Sequence, residues 1–173
     1  MQLKVNDLYQ LQNGLDEEIY QKFSLTREGT SIRRRLALLV ELGECVNETR
    51  CFKFWSVKGP SPAPVILEEY ADGIHFLLSL GIDLKDPSDY IASIEASEDL
   101  TKAYLKMYEL CLDFHQHFDL AHYHQCFGYY LGIAQRLGYT AEDIREHYLL
   151  KMCIRDRFHA LHHWIQRMRL QVL

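Results

Sequence analysis

Apolar residues recur three or four positions apart along nearly the whole chain, the spacing of one face of an α-helix. After Asn6, a capping residue, Leu8, Leu11, Leu15, Ile19 and Phe23 follow that spacing and predict a first helix. A second helix is expected from about Ser31 to about Phe54, and a third from about Ser61 to Leu80 with Gly81 as its terminator. Ser61-Pro62 puts a capping hydroxyl before a proline at the first helical position. Past Pro87 the pattern predicts a short helix over 88–96 and longer ones over 99–118 and 120–137. Thr140-Ala141-Glu142-Asp143 reads as a capping-box-like start to one more. No strand-like alternation and no solenoid-length repeat is visible, so the expected fold class is all-α, a compact helical bundle.

Two of these helices carry charge where their pattern calls for a core. From Leu36 to Val46 every residue is apolar or glycine except Glu41 and Glu44, which predicts a helix buried on nearly all sides. In the third helix Glu68, Glu69, Tyr70, Asp72 and His75 are the ionisable residues between Val65 and Leu78. Carboxylates three apart share a helical face, so Glu41/Glu44 and Glu69/Asp72 form two pairs. Helices joined by a loop tend to pack antiparallel, which can bring the pairs face to face.

Four buried carboxylates without a cation would repel one another and carry a heavy desolvation penalty. A hard divalent cation removes that penalty, and all-oxygen ligation selects Mg²⁺, with Mn²⁺ as a substitute, over zinc. Mg²⁺ pairs with substrate phosphates, so the expected substrate is a phosphate ester or anhydride. A lone ExxE is usually a solvated face; two such pairs on adjacent, otherwise apolar helices favour a metal site. Glu68 reads as the solvated member of its doublet. Glu48 is either a fifth acidic ligand or a salt-bridge partner.

The stretch Glu41-Leu42-Gly43-Glu44, then Asn47 to Ser56 with its Phe52-Lys53-Phe54-Trp55, then Ile66 to Phe76, resembles the all-α, dimeric-type dUTP pyrophosphatases. These belong to the MazG-like nucleoside triphosphate pyrophosphohydrolases, marked by ExxE followed by ExxD. Leu11 to Asp16 is similar to their base-holding first-helix motif, Phe127 to Tyr139 to their late core helix, and Tyr148 to Lys151 to the start of their final motif. The resemblance covers about residues 3–151.

It implies a bundle whose antiparallel core helices carry ExxE and ExxD, with Glu41, Glu44, Glu69 and Asp72 holding Mg²⁺. It implies hydrolysis of dUTP to dUMP and pyrophosphate, with Glu41, or else Glu44, orienting the attacking water. Gln12, Asn47, Lys53, Trp55, His75 and Lys151 are then the substrate-binding candidates. Lys53, followed by Arg50 and Lys58, would bring positive charge near the phosphates. Trp55 is either a flat face for a pyrimidine or a packed anchor, and Gln12 either an amide that donates to and accepts from uracil or a solvated helix residue. A homodimer follows from the resemblance alone. The alternatives are a nucleoside triphosphate pyrophosphohydrolase of broader specificity and a non-catalytic nucleotide-binding homologue.

Composition changes this picture in one place. The chain of 173 residues, 48% apolar and 25% charged, fits one globular domain. Residues 1–150 hold 14 Lys and Arg against 23 Asp and Glu, a poor balance for nucleic acid. Residues 151–173 reverse it, with five basic residues against one acidic. A domain over 1–151 and an atypical basic tail over 152–173 are therefore expected. The family continues past the Lys151 position with a Lys-Asn-x-x-Asn pattern, whereas Met152 and Arg155 stand here in place of the asparagines. Met152-Cys153-Ile154-Arg155-Asp156-Arg157 looks like translated sequencing-adapter DNA. The tail is thus a sequence artefact, or Arg155 and Arg157 replace the lost contacts as phosphate binders.

The apolar run Ile74 to Ile82 falls well short of the roughly 20 residues of a membrane span. Met1 to Asn6 lacks the apolar core of a secretory signal, and five cysteines without a CxxC pair read as free thiols. These point to a cytoplasmic protein with no membrane partner. His115, His117, His122, His124 and Cys126 read as a polar interhelical surface rather than a zinc site. Arg33-Arg34-Arg35 reads as solvated or phosphate-adjacent.

Overall fold

The computed structural model describes residues 1–153. Strand β1 (Gln2–Lys4) leads into helix α1 (Asn6–Phe23), followed by α2 (Arg27–Thr49), α3 (Ala63–Asp83), strand β2 (Tyr90–Ala92), α4 (Leu100–His117) and α5 (Leu120–Arg136). A last helix, α6, occupies 141–153. The fold is all-α, with one small two-stranded sheet. Of the expected tail only its first two residues are described; Arg155 and Arg157 lie outside the described residues.

Helices α2 and α3 pack antiparallel. Arg34 meets Ser79 and Asp83 at one end of the pair, and the Cys45 thiol meets the Ile66 carbonyl at the other. Leu38, Leu42 and Cys45 of α2 face the apolar side of α3, where Leu67, Ile74, Leu77 and Leu78 are buried. Tyr70 and Tyr130 clamp α3 to α5: their rings stack at 4.2 Å, and each hydroxyl donates to the other residue's carbonyl at 3.0 and 2.9 Å. The Thr140/Asp143 capping box forms as its sequence predicts, with Asp143 N–H donating to Thr140 Oγ1 and Thr140 N–H to Asp143 Oδ2.

The structure departs from the sequence reading at six places. Two of them are caps: Val5 and Pro62, not Asn6 and Ser61, flank the starts of α1 and α3, neither gives a side-chain cap, and the Ser61 hydroxyl donates to Glu48 instead. The expected helix over 88–96 is absent; that segment supplies β2, which pairs antiparallel with β1 in the register Leu3↔Ile91. Three-residue strands are too short for alternation to show. Their segment is held flat on α5 by glycine: Ile94 N–H donates to the Gly128 carbonyl at 2.8 Å, and a Cβ on Gly132 would strike the Ile94 carbonyl.

Helix α2 begins four residues earlier than expected, with the Thr26 hydroxyl accepting from Gly29 N–H, and ends at Thr49 because Arg50 is left-handed at φ 57°. Gly81 does not end α3. It lies inside the helix where Tyr123 and Tyr9 cross it, and a Cβ there would sit 2.7 Å from Tyr123 Cζ. Finally, α2 is not buried all round: Ile32, Leu36 and Val40, four apart, are 68%, 62% and 49% exposed.

Candidate active site

Glu41 on α2 and Glu69 and Asp72 on α3 face each other across the antiparallel pair. One carboxylate oxygen from each lies within 4.8 Å of the others. All three are partly buried. Burial, then the charges of Asp72, Glu44 and Glu69, raises the Glu41 carboxyl to about 7, and Lys151 partly offsets this. Burial also raises Glu69, again against an opposing pull from Lys151. Three carboxylate oxygens at this spacing make an all-oxygen group of the kind a hard divalent cation takes. Glu44 stands one turn beyond Glu41, exposed and outside this trio, though its charge is felt by both Glu41 and Glu69.

Next to the trio opens a cavity of about 580 Å³ between α1, α2 and α3. Ala37 and Phe76 line it, each one turn from a trio member, Glu41 and Asp72. Its polar wall is a buried network. Gln12 Nε2 donates to Asp16 Oδ1 at 2.8 Å, Gln12 Oε1 lies 2.8 Å from His75 Nδ1, and the Tyr148 hydroxyl donates to the same Oε1 at 3.2 Å. Ser79 Oγ and Arg27 donate to Asp16 Oδ2 at 2.5 and 3.1 Å. Behind them Arg34 pairs with both oxygens of Asp83 at 2.9 and 2.8 Å.

A carboxylate trio beside a cavity with an amide wall, on an all-α frame, fits a nucleotide hydrolase. A family model described as dUTPase matches residues 4–155. The chain belongs to the dUTPase family. No curated protein matches it. Membership supports dUTP hydrolysis in general, an enzyme of the nucleotide pyrophosphohydrolase kind and a nucleotide substrate. No helix among the described residues is long and apolar enough to cross a membrane.

Not every residue expected of a dUTPase site is drawn to this cavity. Gln12 and His75 line it. Lys151 reaches the trio from α6, donating to Asp72 and lying 3.8 Å from Glu68. Asn47, in the last turn of α2, and Lys53 and Trp55, in the loop after it, lie away from the cavity lining, and Lys53 Nζ donates to Asn47 Oδ1 at 2.6 Å. Trp55 is 65% exposed, edge-on to Phe52 and Phe54, so it is not a packed anchor within this chain. Arg50 and Lys58 close their loop, Arg50 Nε donating to the Lys58 carbonyl at 3.1 Å. Glu48 binds Ser61 and Asn47 rather than joining the trio.

The three arginines separate. Arg33 lines the cavity, Arg34 is buried on Asp83, and Arg35 lies over the Phe118 ring at 4.3 Å. His117 and His122 stack at 4.3 Å, while His124 binds the buried Asp86 at 2.9 Å, which fits an interhelical polar surface. Of the network residues, Arg34, read as solvated or phosphate-adjacent, is instead buried at 7% exposure. Arg27, Ser79 and Asp83 escaped the sequence reading, and Asp16 stands in it only as the end of the first-helix motif. The signal for them was present: Gln12 and Asp16 are four apart on α1, and His75, Ser79 and Asp83 repeat every four residues along apolar α3.

Proposed function

We propose that the chain hydrolyses dUTP to dUMP and pyrophosphate in a Mg²⁺-dependent reaction, with Mn²⁺ able to substitute. The observation that carries this reading is the Glu41–Glu69–Asp72 trio within 4.8 Å beside the cavity. In this account Glu41, Glu69 and Asp72, with Glu44 on the open side, hold the cation. The cation supplies charge neutralisation on the triphosphate and lowers the proton affinity of a nearby water.

The remaining work falls to the chain. Glu41, one turn from the cavity wall at Ala37, orients the attacking water and accepts its proton; Glu44 is the second acidic group on that face. Lys151, already among the carboxylates, supplies a cation for a phosphate oxygen. The cavity between α1 and α3 takes the base, with Gln12 and His75 as its polar contacts. Asn47, at the end of α2, and Lys53 and Trp55, on the loop after it, do not line this cavity, and their contact with nucleotide rests on the resemblance alone.

The exposed Ile32–Leu36–Val40 stripe supports a homodimer, since a second copy would cover it. The acidic balance of residues 1–150 supports a protein that does not bind nucleic acid. Five free cysteines support a cytoplasmic location.

Product analysis tests the reaction. dUTP incubated with the full chain should give dUMP and pyrophosphate in Mg²⁺ and nothing after chelation. Formation of dUDP and phosphate, or turnover that survives chelation, would overturn it. Equal turnover of dTTP or dCTP would replace the dUTP assignment with the broader pyrophosphohydrolase.

A further inference from the structure

Cys111 and Cys126 face each other across the hairpin of α4 and α5. Cys111 lies six residues before the end of α4 at His117, and Cys126 six residues after the start of α5 at Leu120. Positions equidistant from a turn meet when two helices run antiparallel, and here the two Sγ atoms are 3.6 Å apart. The turn between them is defined. Phe118 is left-handed at φ 38°, and Asp119 caps α5 by accepting from His122 N–H. Phe114 of α4 packs against the Tyr123 ring of α5 at 5.6 Å, so aromatic contact holds the hairpin closed beside the sulfurs.

Both are free thiols, Cys111 4% and Cys126 0% exposed. The other cysteines stand apart from them: Cys45 meets the Tyr104 hydroxyl at 3.3 Å, Cys51 follows the end of α2, and Cys153 is exposed on α6. Neither Cys111 nor Cys126 belongs to the carboxylate trio or lines the cavity, so the proposed reaction leaves the pair unused. A disulfide bond is about 2.05 Å long, and closing the remaining gap of about 1.5 Å is a movement on the scale of side-chain rotation.

We propose that Cys111 and Cys126 are a reversible oxidation site, closed to a disulfide by a peroxide, that ties α4 to α5. The oxidant is hydrogen peroxide. Cys111, the less buried sulfur, attacks one peroxide oxygen as its thiolate. An S–O bond forms, the O–O bond breaks, and the departing hydroxide takes up the thiol proton as water. The Cys126 sulfur then attacks the sulfenic sulfur. An S–S bond forms, the S–O bond breaks, and the Cys126 proton leaves in a second water. Two thiols and one peroxide give one disulfide and two waters.

The contact with Cys111, and burial after it, hold the Cys126 thiol well above the usual range, so it stays protonated and closure is slow beside oxidation of the exposed Cys153. A reducing compartment keeps the pair as thiols, so the disulfide belongs to oxidative load. With 15 positions between the two sulfurs in sequence, closure removes conformations from the unfolded chain and stabilises the fold.

The test treats the folded full chain with hydrogen peroxide, alkylates the remaining thiols and maps the peptides by mass. Cys111 and Cys126 should appear joined in one cross-linked peptide, with Cys45 alkylated. The midpoint of thermal unfolding should rise by about 5 °C or more and return on reduction with dithiothreitol. Cys126→Ala and Cys111→Ala should each lose both the cross-link and the rise, and the map of the unmodified chain decides even where a variant fails to fold. Recovery of Cys111 and Cys126 as alkylated thiols after Cys153 is fully oxidised overturns the proposal. A cross-link that leaves the midpoint unchanged overturns it too.

Discussion

Lys151 on α6 donates to the Asp72 carboxylate on α3, so the chain's own ammonium stands among the groups that would hold a divalent cation. The same contact pulls Glu41 and Glu69 down against the burial that raises them. A charge in that position competes with a metal for Asp72 until a phosphate draws it away.

Removing that charge should therefore tighten metal binding in the absence of nucleotide. Lys151→Met is expected to bind Mg²⁺ about threefold or more tightly than the unmodified chain by calorimetry, while binding the α,β-imido analogue of dUTP less tightly. Equal Mg²⁺ affinity for the two chains would show that Lys151 does not compete.

Glu41 makes the metal-free fold sensitive to pH. Its carboxyl is raised from 4.5 to about 7, so the folded state favours the protonated form. The stabilisation this gives is complete below about 4.5 and is lost as pH rises through 7. Glu41→Gln mimics the protonated form. With chelator present it should stabilise the chain by roughly 1 kcal/mol at pH 8, a figure discounted for the partial exposure of the group. At pH 4 the two chains should unfold at the same urea concentration, and an equal gain at both pH values would contradict the assignment.

The buried ion pair behind the cavity should matter more to folding than any single apolar contact near it. Arg34→Met would leave Asp83, whose side chain is 10% exposed, without its bidentate partner. A loss of about 3–5 kcal/mol in urea denaturation is expected. A loss below about 1 kcal/mol would mean that Arg27, 3.2 Å from the same carboxylate, suffices alone.

Gly73 adjoins Asp72 and faces Tyr130, whose hydroxyl a Cβ would strike. Gly73→Ala should cost about 1–3 kcal/mol by forcing apart the Tyr70–Tyr130 clamp. Thermal unfolding of this variant beside Gly14→Ala, where a Cβ meets nothing within 4 Å, gives the contrast.

Much of this architecture was legible because helical periodicity is a local signal. The cores of α1 to α5 sit where the apolar spacing places them, α6 starts at its Thr140 cap, and α2 pairs with α3 as expected, whereas the caps expected at Asn6 and Ser61 do not form. The trio was legible for a related reason: Glu41, Glu69 and Asp72 interrupt apolar helices, and an interruption needs a cause. What escaped was decided by partners far away in sequence. The 88–96 segment lies extended because of bare glycine backbone on α5, some 40 residues on, and Gly81 continues its helix because Tyr123 needs the space. The exposure of Leu36 and Val40 was invisible in a sequence that only says they are apolar. Gln12 was read as able to donate and accept; its acceptor side is taken by Tyr148, 136 residues away.

The central claim is that the Glu41–Glu69–Asp72 trio is the metal centre of a dUTP hydrolase. The most direct test is pyrophosphate release from dUTP across a Mg²⁺ titration, for the unmodified chain and for Glu69→Gln. The account predicts saturable, Mg²⁺-dependent release that falls by about a hundredfold or more in the variant at every Mg²⁺ concentration. Release by Glu69→Gln at the unmodified rate would show that the trio is not where the reaction is carried.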